Sequence, residues 1–326
     1  KILWRYGIPV GHIGHLNQVP NADIPFVIEN EPEVITCYSI EKVKRISEVA
    51  QEKDKKQEIL LRVIDDNDTF FDGQEGGIHK DNLEETVKEI QKMPNVELVG
   101  VTSFPCIRYN TTKEINVEPT DNFKTIVEAA KKMESLGCNV KQINAPGNTS
   151  SETFAMLKEN GATHVEPGHG LLGTTPNHAF KDYLPEIPTY VYLSEVSHFL
   201  NNDVYCYGGG YWSDIYDPQY VSRGLVGSNP DTIFNNKTKI IPKKQIIDYH
   251  ITLENINCKI GDSVVFGYRT QMQMTRSQIA LIGGLRKNKP VLEALFDHAG
   301  TMINIYNEVI PPDESMQIIE SIVKKY

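Results

Sequence analysis

The run Thr163-His164-Val165-Glu166-Pro167-Gly168-His169-Gly170 decides how the rest of the chain is read. A short mixed strand ends in an acid and then turns through a Pro-Gly pair. An acid at a strand end points into the mouth of a site. The turn at Pro167 and Gly168 is expected to leave backbone N–H groups exposed, which suits a phosphate. A carboxylate beside such amides suits a ligand that joins a ring nitrogen to a phosphate.

Upstream of this run, strand and helix signals alternate. The sequence predicts strands at Ile8–Gly14, Glu33–Ser39, Glu58–Ile64, Val96–Thr102, Val140–Asn144 and Ala162–Glu166. Between them it predicts helices at Ile40–Lys53, Leu83–Lys92, Asn122–Leu136 and Ser151–Asn160. That alternation implies a parallel sheet, with polar and glycine-rich signals after each strand, as in a barrel whose site lies at its C-terminal face. After Tyr183 the pattern changes to short strands among Gly and Pro turns: Thr189–Leu193, Asp203–Tyr207, Lys244–Leu253, Ser263–Tyr268 and Gln278–Ile282. A terminal helix, Glu314–Lys325, follows. The expected division is a domain at 1–183 and a mainly β domain at 184–326.

At 326 residues, the chain can bury a large α/β core and a smaller second one. A net charge of −10 argues against nucleic acid or an anionic membrane as partner. No apolar run approaches the roughly 20 residues of a membrane span, and no secretory signal opens the chain. Five widely spaced cysteines, Cys37, Cys106, Cys138, Cys206 and Cys258, fit a reducing cytoplasmic setting better than a disulfide frame or a zinc site. His12 and His15 invite a metal reading together with His169. Three-apart residues on a strand face opposite ways, so that spacing points instead to loop shaping.

Seven stretches then occur in order. They are Gly11-His12-Ile13-Gly14-His15-Leu16, Gly73-Gln74-Glu75-Gly76-Gly77, Thr102-Ser103-Phe104-Pro105-Cys106, Asn144-Ala145-Pro146-Gly147-Asn148-Thr149-Ser150, Glu166-Pro167-Gly168-His169, Ser194-Glu195-Val196-Ser197-His198 and Gly208-Gly209-Gly210. In these the chain resembles the alanine-racemase-like proteins of fold type III that depend on pyridoxal phosphate (PLP), in their YhfX-like branch. The resemblance implies an α/β fold: a PLP-binding (βα)8 barrel followed by a C-terminal mainly β domain. Six barrel strands are legible, and matching Glu166 to the eighth leaves strands one and two missing. Lys1–Tyr6 then reads as the tail of the second helix, and the chain as an N-terminally incomplete segment.

The resemblance also assigns roles. Glu166 would sit at the pyridine nitrogen, where alanine racemases carry an Arg. Asn148, Thr149 and Ser150, with Gly168 and His169, would hold the phosphate, and Thr149 or Ser150 could also cap the next helix. Asn144 and Ser103 are counted with the cofactor-binding residues, Ser103 standing where alanine racemases carry a ring-supporting His. Tyr207 matches the tyrosine that serves a partner subunit's site as second base, with Cys206 and Tyr205 as competitors. Asp248-Tyr249-His250 resembles a loop that crosses the dimer interface, and Tyr249 and His250 are counted with the substrate-binding residues. Arg269 is a candidate for the substrate carboxylate, or for a surface ion pair. Arg62 is read as a structural barrel cation.

The lysine that carries the cofactor is expected upstream of residue 1. The implied function is a cytoplasmic PLP-dependent amino-acid racemase acting as a homodimer with shared sites on a small amino acid or amine. Decarboxylase or lyase chemistry, or PLP binding without turnover, are the alternatives. A metal-dependent hydrolase using His12, His15 and His169 ranks last.

Overall fold

The structure, a computed structural model, describes residues 1–110, 116–179, 181, 183–208, 223–241, 249–267 and 277–326. Arg269, Asp248, Gly209 and Gly210 lie outside them. The chain divides into two compact units, one at Gly7–Pro188 with Lys1 and Leu3, the other at Thr189–Tyr326 with Ile2 and Trp4–Tyr6.

The first unit is built on a six-stranded parallel sheet: β1 (His12–Ile13), β2 (Val34–Cys37), β3 (Gln57–Ile64), β4 (Val96–Thr102) and β5 (Gln142–Asn144) in chain order, with the short strand Ile78–His79 branching from the end of β3. The predicted sixth strand contributes a single parallel bridge, His164 to Asn144. Every residue of β2 is buried, as expected of a parallel strand covered on both faces. Helices Ile40–Glu52, Leu83–Ile90, Asp121–Ser135 and Ser151–Glu159 alternate with the strands. The first of them starts where Ser39 accepts a hydrogen bond from the Lys42 N–H, and it buries Val43, Ile46, Val49 and Ala50.

Register places the site. Val34, Leu60 and Val99 form a fully buried apolar cluster. Toward the strand ends, Arg62 pairs with Thr102 and Thr102 with Asn144, so these three side chains share one sheet face. A polar layer therefore lies over an apolar floor. The β4–β5 approach depends on Gly100, where a Cβ would stand 1.9 Å from the Gln142 carbonyl oxygen.

The sequence reading of a (βα)8 barrel holds only as a curled half-barrel. Among the described residues the sheet is an open path, because β1 and the His164 bridge each pair on one side only.

In the second unit a six-stranded antiparallel sheet runs in the order Lys237–Lys239, Arg223–Gly227, Ser263–Gly267, Val191–Leu200, Asp203–Tyr207, His250–Leu253. An Ile240–Leu253 bridge joins its two edges, so this sheet closes on itself. Inside are Val196, Val204, Cys206, Val226, Leu253, Val264 and Phe266. A three-stranded sheet (Ile279–Gly283, Val291–Phe296, Met302–Ile303) and helix Pro312–Lys325 complete the unit. The sequence reading missed Arg223–Gly227 and Lys237–Lys239, whose Gly, Lys and Arg content carries little strand signal.

Candidate active site

Glu166 stands just past the His164 bridge, at the C-terminal ends of the parallel strands. Asn144, at the end of β5, donates from Nδ2 to Glu166 Oε1 at 2.7 Å. His12, from β1, reaches the same oxygen with Nδ1 at 2.6 Å. Its other nitrogen, Nε2, lies 2.5 Å from the Thr36 hydroxyl of β2. His15 Nε2 lies 3.7 Å from Glu166 Oε2.

Burial opposes the charge on Glu166. The His12 hydrogen bond, the charges of both imidazoles and the Asn144 amide outweigh it and hold the carboxyl below its ordinary range. Burial pushes the His15 imidazole down to about 4, against the pull of Glu166, so His15 is neutral near pH 7.

The expectation that His12 and His15 face opposite ways is corrected. The strand ends at Ile13, and Gly14, at φ +89°, turns the chain so that both rings face Glu166. His15 packs edge-on to Phe104, with ring centroids 5.6 Å apart. Its carbonyl accepts from the Tyr38 hydroxyl at 2.6 Å, and that hydroxyl accepts from Arg62 Nη1 at 2.7 Å. Arg62 also donates to the Gln74 carbonyl of the Gly73–Gly77 loop. Among the described residues, no three or more His, Cys, Asp or Glu side chains form a group that could hold a metal.

The two candidate phosphate segments meet. A Cβ on Gly170 would stand 2.4 Å from the Thr149 carbonyl oxygen, so the turn around residue 170 presses directly on residues 149 and 150. Thr149 and Ser150 are fully buried, and the Thr149 hydroxyl has no hydrogen-bond partner among the described residues. Asn148 sits at φ +54°, and its carbonyl accepts from the Tyr109 hydroxyl at 2.7 Å.

Two expectations change, for Gly168 and Ser103. The Gly168 N–H is not open to a phosphate: Pro167, at φ −84° and ψ 45°, makes a tight γ-like turn, and that N–H returns to the Glu166 carbonyl at 3.0 Å. His169 Nδ1 lies 2.9 Å from the Thr174 hydroxyl and braces the loop. Ser103 lies 3.4 Å from the Asn122 amide of helix Asp121–Ser135, on the helix side of the sheet, while its neighbour Thr102 faces the site.

In the second unit Cys206 is a core residue. Its thiol is fully buried, and burial pushes it up to about 11. A group so placed cannot serve as an exposed proton donor, which corrects that candidate. Alternation along the strand puts Tyr205 and Tyr207 on the outer face. There Tyr207 pairs in register with His250, with ring centroids 6.0 Å apart. His250 meets His198, which stacks on Tyr205 at 4.6 Å. Tyr249 is exposed, and its carbonyl accepts from the Gly208 N–H.

Residues 3–176 match the family profile "Alanine racemase, N-terminal domain", and residues 191–292 match "YhfX-like, C-terminal domain". The chain is also 33% identical over 303 residues to the uncharacterized protein YhfX of Escherichia coli (strain K12), covering 93% of this chain and 76% of that one. The chain belongs to the alanine-racemase-like family, in its YhfX-like branch. Solved structures agree at the level of fold. An alanine racemase of Clostridium difficile 630 superposes with a TM-score of 0.51 at 19% identity, over 81% of this chain and 67% of that one. A diaminopimelate decarboxylase of Helicobacter pylori gives 0.52 at 11% identity, over 78% and 67%. The fold is thus shared by proteins named for more than one chemistry.

Proposed function

We propose that the protein is a PLP-dependent enzyme acting at the α-carbon of an amino acid or related amine, with racemisation as its reaction. The observation that carries this reading is the Glu166 carboxylate, fixed by Asn144 and His12 at the mouth of the parallel sheet.

The residues present fit PLP. Glu166 offers an anionic acceptor for a protonated ring nitrogen. Thr149 offers a buried hydroxyl without a partner among the described residues, beside Ser150, for a phosphate oxygen. Bound there, PLP supplies a protonated ring that accepts electrons from the substrate's α-carbon.

Glu166 holds the proton on that nitrogen, and Asn144 holds Glu166. Tyr207, half-exposed beside His250, moves a proton on the substrate face opposite the cofactor's lysine. It reaches the site from a second copy of the chain, in a homodimer. Lys141 is not that lysine, because it is paired with Glu58 at the surface. The five free cysteines favour a cytoplasmic setting. Among the described residues no helix is long and apolar enough to cross a membrane.

A second reading, decarboxylase or lyase, is favoured by Glu166 itself. A carboxylate at the ring nitrogen makes a stronger electron sink than the arginine of alanine racemases.

The test is borohydride reduction of the full encoded protein after PLP loading, with peptide mapping. A phosphopyridoxyl-lysine supports the enzyme reading, and its absence sinks it. Interconversion of D and L amino acids with deuterium uptake from water, and no carbon dioxide, selects racemase. Carbon dioxide release selects decarboxylase.

A further inference from the structure

Glu166 presents two unequal oxygens. Oε1 already receives the Asn144 amide at 2.7 Å and His12 Nδ1 at 2.6 Å, which fills the acceptor capacity of one carboxylate oxygen. Among the described residues Oε2 has only His15 Nε2, at 3.7 Å, beyond hydrogen-bond reach. The Glu166 side chain is 32% exposed, so Oε2 is the oxygen left for a ligand.

His12 Nδ1 faces Glu166 Oε1 at 2.6 Å and, at a longer 3.3 Å, the Asn144 Nδ2 that itself donates to Oε1 at 2.7 Å. An ionised carboxylate can only accept, so Nδ1 must carry the hydrogen. With His12 neutral, Nε2 is then a bare acceptor, and the Thr36 hydroxyl, fully buried and 2.5 Å away, is its donor. With His12 protonated, Nε2 donates to the same hydroxyl and no heavy atom moves. The geometry is that of a hydroxyl–imidazole–carboxylate chain. Thr36 is too buried to attack a substrate, so the chain ends in orientation. Besides Glu166, the titratable or charged groups around His12 are His15, 5.8 Å away between ring centroids, and beyond it Arg62, which is held by Tyr38 and Gln74.

We infer that His12 is a positioning residue. Held by the Glu166 carboxylate in its Nδ1–H tautomer and braced from behind by the Thr36 hydroxyl, it occupies Glu166 Oε1 and so leaves Oε2 as the oxygen that would meet the ring nitrogen. This inference rests on the PLP reading for what Oε2 meets, but its first half concerns this chain alone. The chain thereby sets how firmly the ring nitrogen keeps its proton through a residue outside the acid itself.

The experiment has two arms on the full encoded protein. In the first, without PLP, ¹⁵N-histidine NMR at pH 8 reads the His12 tautomer, with assignment by His12→Phe. Nδ1–H is expected in wild type and in Thr36→Val alike, because the Glu166 carboxylate beside Nδ1 accepts in both. Nε2–H in wild type overturns the inference whatever the cofactor does. In the second arm, ring-¹⁵N-labelled PLP is bound to wild type, His12→Phe and Glu166→Gln, and the ring nitrogen's protonation is followed with pH.

His12→Phe is expected to keep PLP affinity within about 3-fold. It should raise the pH at which the ring nitrogen deprotonates by about tenfold in proton activity, since Glu166 without its donor is the stronger base. Glu166→Gln is expected to leave the nitrogen unprotonated. Identical profiles for wild type and His12→Phe would reduce His12 to a packing role and overturn the inference. Failure of wild type to take up PLP, with the Nδ1–H tautomer present, overturns the functional reading and the ring-nitrogen half of the inference, and leaves the carboxylate-orienting half standing.

Discussion

His15 stores a pH dependence that can be worked out from its surroundings. Burial drives its imidazole from the ordinary 6.5 down to about 4. Each tenfold in proton affinity is worth about 1.4 kcal/mol, so keeping this ring neutral ties about 3 kcal/mol of stability to pH. The folded protein resists the proton that the unfolded chain accepts. The contribution is therefore whole above pH 6.5, drains as pH falls from 6.5 to about 4, and is flat below. Glu166, whose carboxyl is held below its ordinary range, loses its own contribution only at lower pH, so the two windows separate.

The perturbation is His15→Phe, which keeps a ring beside Phe104 and removes the titration. Native-state hydrogen exchange on β3 peptides reads the first unit's stability. Between pH 7 and pH 5, wild type should lose about 2 kcal/mol relative to His15→Phe. Histidine NMR should place the His15 midpoint near 4. Parallel pH profiles, or a midpoint above 6, would refute the claim that burial dominates this site.

Gly100→Ala should destabilise the first unit by about 3 kcal/mol or more, or prevent its folding, because its Cβ meets the Gln142 backbone at 1.9 Å; denaturant unfolding checks this. Gly170→Ala, 2.4 Å from the Thr149 carbonyl oxygen, should lower PLP affinity at least tenfold by parting residues 149 and 150 from the following turn, as equilibrium dialysis would show. Cys206 should resist alkylation in the native protein while Cys138 and Cys258 react first, since its thiol is fully buried and pushed up to about 11; peptide mapping after timed labelling reads this directly. Thr102→Val should raise first-unit stability by about 1 kcal/mol, because the buried Thr102 hydroxyl has no partner among the described residues and the replacement keeps its shape. A loss of stability in that variant would mean the hydroxyl is already satisfied.

The parallel strands were legible because apolar runs such as Ile59–Leu61 and Val34–Ile35 alternate with clear helix signals, Ser39 and Gly137 among them. Glu166 was legible because an acid before Pro-Gly stands at a strand end. The partners of Glu166 were harder to read. His12 and Thr36 lie 154 and 130 positions away, and only strand order brings them together. The His12–His15 spacing misled because it assumed a continuing strand, whereas Gly14 turns the chain at φ +89°. Ser103 misled by one position: alternation gives the inward place to Thr102. Cys206 misled in the same way, since the strand that shows Tyr207 to solvent must bury its neighbour.

The polar layer argues most strongly that this half-barrel is a site and not only a scaffold. Its floor, Val34, Leu60 and Val99, shows what the fold uses when packing alone decides. One layer on, the same sheet face carries Arg62, Thr102 and Asn144. Arg62 Nε, Thr102 Oγ1 and Asn144 Oδ1 are each buried without a hydrogen-bond partner among the described residues. Each such atom costs about 1–3 kcal/mol, so together they approach the whole stability of a typical domain. Arg62 adds a fully buried cation that forms no ion pair with a carboxylate among the described residues, although its Nη atoms are held by Tyr38 and Gln74. Packing gives no reason for that cost, since valine or leucine would fill the same space. Three unmet polar atoms on adjacent strands, beneath an oriented carboxylate, are accounted for by a polar ligand that meets them. A ligand with several hydrogen-bonding groups at fixed separations would do so.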